Sequence, residues 1–245
     1  MVEAFLWGLV AASSLLIGAL IAIVRPPGTR LLGFVMGFGA GVLLSAVAYE
    51  LVDDAIDSEG GQLRWTTLGL FCGALVFTFG DKLIERFGYG DRKDIDGAPP
   101  SGGGLAIVLG AMLDGVPESA VLGLTILETG EIGLSMLVAV FVSNLPEGIA
   151  ATTGLRNGGW STMRLVGLWV AVAVVSALAA AGGYALLDGA SGTTIAFLLA
   201  FAAGAILTML ATSMMPEAYE HGGRDVGIVT VLGFAVAVFV NAFAA

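Results

Sequence analysis

The sequence predicts an all-α polytopic membrane protein: eight transmembrane helices with an inverted pseudo-repeat, and broken helices 4 and 5 at the centre. Three observations carry that prediction. The 245 residues are 57% hydrophobic and only 12% charged, with a mean hydropathy of +0.95. A soluble domain carries about 25% charge, so this chain cannot cover a water-facing surface. Eight apolar runs reach the roughly 20 helical residues that a bilayer core of about 30 Å demands. Two of these runs carry nearly the same motif, each with a Pro-Glu pair in apolar surroundings.

The runs fall at approximately 4–24, 31–52, 65–87, 103–127, 132–155, 163–187, 193–215 and 225–244. None alternates apolar with polar residues, as a membrane β-barrel strand does, so each reads as a helix. The first follows Met1-Val2-Glu3 and lacks the positive leader of a cleaved signal peptide, so it is expected to stay as a span. The second contains Gly37-Phe38-Gly39-Ala40-Gly41, and the seventh Ala202-Ala203-Gly204-Ala205, small residues that let backbones approach. The third ends on Asp81 and Lys82. The fourth and fifth carry the twin motifs. All eight form a single domain over 1–245, with a flexible cytoplasmic loop at about 88–103 around Gly-Ala-Pro-Pro-Ser-Gly-Gly-Gly.

Charge sets the orientation. Arg25, Arg30, Lys82, Arg86, Arg92, Lys93, Arg156, Arg164 and Arg224 lie in or beside the loops after runs 1, 3, 5 and 7; Arg64 is the exception. Positive charge marks the cytoplasmic side, so both termini are expected outside the cytoplasm, in a multi-pass protein of the cell membrane. The formal net charge of −10 and the absence of a basic patch exclude nucleic acid as a partner. The lone Cys72 excludes an internal disulfide. The expected partners are metal ions, the lipid bilayer and a second copy in a homodimer.

The fourth run reads Leu113-Asp114-Gly115-Val116-Pro117-Glu118-Ser119, and the fifth Val142-Ser143-Asn144-Leu145-Pro146-Glu147-Gly148. Asp114 and Glu118 are four apart, as are Ser143 and Glu147, so each pair shares a helix face. Pro117 and Pro146 cannot donate to the carbonyls of Leu113 and Val142, which frees two main-chain oxygens beside the carboxylates. A charge at a helix centre costs about 2.5–3.5 kcal/mol on insertion scales. A divalent cation held by Asp114, Glu118, Ser143, Asn144 and Glu147 would remove that cost and the repulsion between the acids.

Phe38 to Ser45 aligns with Phe201 to Thr208 at an offset of 163, and the alignment carries Asp54 onto Glu217 and Asp57 onto Glu220. By the charge rule, runs 2 and 7 point in opposite directions, as do runs 4 and 5. Inverted repeats that meet at Pro-broken helices are a transporter signature.

The eight-run plan, the twin motifs and the long 3–4 loop resemble the ZIP family (Zrt/Irt-like proteins) of divalent metal transporters. Phe71-Cys72-Gly73-Ala74-Leu75 through Asp81-Lys82-Leu83-Ile84 is similar to that family's third span, and Met215-Pro216-Glu217-Ala218 to the end of its seventh. The resemblance implies a binuclear metal site at mid-membrane, with Glu118, Asn144 and Glu147 as ligands. The chain departs from the family pattern where Asp114 and Ser143 stand in place of His and Gly115 in place of Asn. Oxygen ligands suit Mn²⁺, Mg²⁺ or Ca²⁺, whereas Zn²⁺ favours imidazole and thiolate. The expected substrate is therefore a divalent metal, Zn²⁺ by resemblance with Mn²⁺, Fe²⁺ and Cd²⁺ as further candidates, moved into the cytoplasm by a protein that is not an enzyme.

Glu50, Asp53 and Asp54 at the end of run 2 are candidates for an entrance, set against an ordinary solvated loop. Glu217, Glu220 and His221 at the end of run 7 are candidates for an exit, set against a solvated His. Gly88-Tyr89-Gly90-Asp91 matches an element of intramembrane aspartyl proteases, with Asp114 as partner. The adjoining Arg92, Lys93 and Asp94 favour a chance match. The chain could also be a degenerate, non-transporting member of the family, or a structural membrane protein. A structural role gives no account of the buried Glu pair.

Overall fold

The computed structural model describes residues 1–58, 63–86, 104–130 and 132–244. The expected flexible loop at 88–103, with the Gly-Tyr-Gly-Asp element, lies outside them. Among the described residues there are helices and turns but no strand. Helix α1 is Val2–Val24. Helix α2 runs Thr29–Asp57 and contains a π segment, Val47–Val52. Helices α3 to α6 are Leu63–Arg86, Gly104–Thr129, Leu134–Asn157 and Thr162–Leu187. Helix α7 is built of Gly192–Met209, a π segment Leu210–Met214, and Met215–Gly222. A 3₁₀ turn at Gly223–Asp225 leads into α8, Val226–Ala244.

Seven stretches among the described residues are long and apolar enough to cross a membrane, the last being 192–242. The chain direction changes inside that last stretch. The start of α2 packs on the end of α7, with Gly33 against Ala218 and Gly222, while the end of α2 meets the start of α7 around Ala55, Leu199 and Ala200. The two helices are therefore antiparallel. Helix α8 instead follows α2 in parallel: Gly37 meets Val226, and Gly41 meets Thr230 and Phe234. The reversal falls at Gly223, whose φ of +70° is a left-handed value that a side chain would strain.

Small residues make the closest helix contacts. Along α1, Ala4, Gly8, Ala11, Leu15, Gly18 and Ala22 recur every three or four residues and are all buried. Gly73 of α3 lies against the Phe201 carbonyl of α7, and Gly204 of α7 against the Leu70 carbonyl of α3. The same pair of contacts occurs between α2 and α8: Gly233 lies against the Phe38 carbonyl and Gly41 against the Thr230 carbonyl. Outward faces are apolar. On α3, Phe71, Leu75 and Phe79 form an i, i+4 stripe that is about two-thirds exposed.

The basic ends converge on one side. Arg156 at the end of α5 donates to the carbonyls of Ala22 (3.2 Å) and Ile23 (2.7 Å), the last turn of α1. A cation there also complements the helix dipole. Arg30 at the start of α2 pairs with Asp225 before α8 at 3.0 Å.

One expectation is corrected. Helices α4 and α5 are not broken: both run without interruption through Pro117 and Pro146. A buried helix tolerates proline where neighbouring helices take up the freed backbone groups.

Candidate metal site

Helices α2, α4, α5 and α7 converge on one small, partly enclosed cavity. Its wall is made by Met36, Glu118, Ser143, Pro146, Glu147, Ala150, Met209 and Met214. Its free volume is about 10 Å³, room for one water-sized sphere. The two Pro-Glu motifs thus bring their carboxylates to the same space from different helices. Glu118 is 1% exposed and Ser143 4%. The Ser143 hydroxyl donates to the Val140 carbonyl at 3.1 Å, which leaves its lone pairs available. The Val142 carbonyl freed by Pro146 faces Gly39 of α2, 3.4 Å from where a Cβ there would stand.

Asp114 and Asn144 are equally buried but do not border this cavity. Among the described residues no group of three or more His, Cys, Asp or Glu side chains is placed to hold a metal ion. The cavity instead offers two carboxylates, one hydroxyl and three thioethers. The methionines were missed by a reading that counted oxygens alone. Their signal was a cluster of Met on runs 2 and 7, the two runs already paired by the repeat.

The outer acids separate. Glu50 lies on the π segment of α2 with its carboxylate at the start of α5. Its Oε2 is 2.9 Å from where a Cβ of Gly133 would stand, and the carboxylate is hydrogen-bonded to the Ser135 side chain and the Met136 N–H. Gly133 is the N-cap position of α5, so Glu50 supplies the cap that glycine cannot. These contacts join the π segment of α2 to the first turn of α5. Asp53 is exposed and Asp54 partly so. At the other end Glu217 is buried while Glu220 is exposed, and His221 lies between these extremes. The three do not form one buried group.

A buried bond supports α5 from behind: the Trp169 indole of α6 donates to the Thr152 hydroxyl at 2.7 Å.

No family model matches the chain. It is similar to an Arabidopsis thaliana protein named "Putative zinc transporter", at 28% identity over 193 residues. The match covers 77% of this chain and 30% of the relative, so the chain corresponds to less than a third of that protein's length.

Proposed function

We propose that the chain carries divalent metal cations across a membrane into the cytoplasm, through the cavity between α2, α4, α5 and α7. One observation carries this reading: Glu118 and Glu147, on separate apolar helices, border a single, partly enclosed space the size of one ion. Two carboxylates that face one space from apolar helices repel each other when ionised, and a cation between them would relieve that repulsion. The name of the plant relative supports zinc as a substrate. The thioethers and carboxylates extend the candidates to Cd²⁺, Mn²⁺ and Fe²⁺.

The reading includes eight membrane passes, because α8 turns back along α7. It includes an inverted repeat. The glycine contacts of α3 with α7 recur between α8 and α2 at offsets of 160 and 163, and the π segments begin at Val47 and at Leu210, also 163 apart. Convergence of Arg25, Arg30, Arg156 and Arg224 on one side supports a cytoplasmic face there, with both termini opposite.

The test is metal uptake into proteoliposomes, with Zn²⁺, Mn²⁺, Fe²⁺ and Cd²⁺ compared. Glu118→Gln and Glu147→Gln should each reduce uptake of every metal, by about 10–100-fold if they act as ligands or orient them. Wild-type vesicles that admit no metal, or Gln variants with unchanged uptake, would overturn the proposal.

A further inference from the structure

The wall of the cavity has two chemically different sides. Glu118, Ser143 and Glu147 present oxygen from α4 and α5, while Met36, Met209 and Met214 present sulfur from α2 and α7. All three methionines are 4% exposed or less. Methionine is a common gap filler in cores, but here the side chains border a space they leave open.

The backbone of α7 brings two of them together. Met209 and Met214 are five residues apart, and an α-helix of 3.6 residues per turn would point them about 140° apart. The intervening π segment, Leu210–Met214, has i→i+5 hydrogen bonding, in which five residues span about one turn. Both side chains therefore reach the same cavity. Met214 is also held in place: its Cε is 3.0 Å from where a Cβ at Gly39 would stand, beside the Cα of Ser143 at 3.2 Å. Glycine at 39 leaves the room through which that thioether passes.

Thioethers bind soft cations and add little for Mn²⁺ or Mg²⁺, which prefer oxygen. We propose that Met209 and Met214 are selectivity-determining sulfur donors, and that the site favours soft divalent cations, with Cd²⁺ as their probe, over Mn²⁺. This rests on the transport reading above, and the experiment separates the two.

Purified full-length protein with Cys72→Ser as background is loaded with Cd²⁺ alone, and the metal's neighbours are read by X-ray absorption. The same protein in proteoliposomes is assayed for Cd²⁺ and Mn²⁺ uptake. Met209→Leu with Met214→Leu removes both sulfurs at nearly constant volume. The expected result is sulfur scattering around Cd²⁺ that falls in the double variant, with Met36 as the one wall sulfur left. The Cd²⁺/Mn²⁺ uptake ratio should fall about tenfold while Mn²⁺ uptake persists. Each single Leu variant, less disruptive to folding, should give a smaller shift in the same direction. Cadmium bound by oxygen alone, or an unchanged ratio in the variants, would overturn the inference. Sulfur-ligated cadmium in a protein that moves no metal would uphold this site and overturn the transport reading.

Discussion

Ser143 and Asp114 occupy matching places in the twin motifs, yet only Ser143 borders the cavity. That difference is testable one residue at a time. Ser143→His puts a borderline imidazole at the wall and should shift the Zn²⁺/Mn²⁺ uptake ratio toward zinc, by about tenfold for about 1.4 kcal/mol of differential binding. Asp114→His should leave the ratio unchanged, and a shift there as large as at 143 would put residue 114 in contact with the ion. Of the five residues named as metal ligands from the sequence, Glu118, Ser143 and Glu147 border the candidate cavity and Asp114 and Asn144 do not. A carboxylate in an apolar run has few uses, so Glu118 and Glu147 announced themselves. The thioethers did not, because Met is unremarkable in any apolar run and only the packing of α2 and α7 distinguishes a wall from a core.

Among the helices, the glycine contacts make the firmest statement. A side chain at Gly73 or Gly204 would run into the backbone of the partner helix, which cannot yield as a side chain can. Gly73→Val and Gly204→Val should each cost about 1–3 kcal/mol or more, read as a lower melting temperature in detergent. Gly167→Ala, with nothing within 4 Å of the added carbon, should be neutral or slightly stabilising. Helix existence was legible from apolar length and glycine spacing. Helix continuity was not. Pro117 and Pro146 each remove one hydrogen bond, which in water would end or bend a helix, but a helix largely packed among neighbours keeps its path. The π segments were hidden as well, because they arise from how α2 and α7 fit their neighbours and leave no composition of their own.

For the whole molecule, the ordering of basic loops predicts sidedness. In a Cys72→Ser background, a cysteine at Ser191 should react with an impermeant reagent applied from outside. One at Asn157 should react only after permeabilisation. Both positions are exposed. The opposite pattern would invert the direction of transport. The expected sidedness rests on Lys and Arg placement, and in the structure Arg156 and Arg30 tie neighbouring helix ends together at that end of the bundle. The split of Glu217 from Glu220 was beyond reach of the sequence, since three residues of register decide which acid turns inward.

A space of about 10 Å³ admits an ion but not its water shell. Under the proposed transport, a cation entering this space would shed water, and the ease of shedding would govern uptake alongside affinity. Mg²⁺ sheds water reluctantly and usually keeps several molecules when it binds. It should therefore neither accumulate in proteoliposomes nor slow Cd²⁺ uptake even in large excess. Competition by Mg²⁺ at the level of Mn²⁺ would mean that the passage opens wider than the space described between the four helices. Under the proposed transport, so narrow a space would select against Mg²⁺ through dehydration, without a residue devoted to rejecting it.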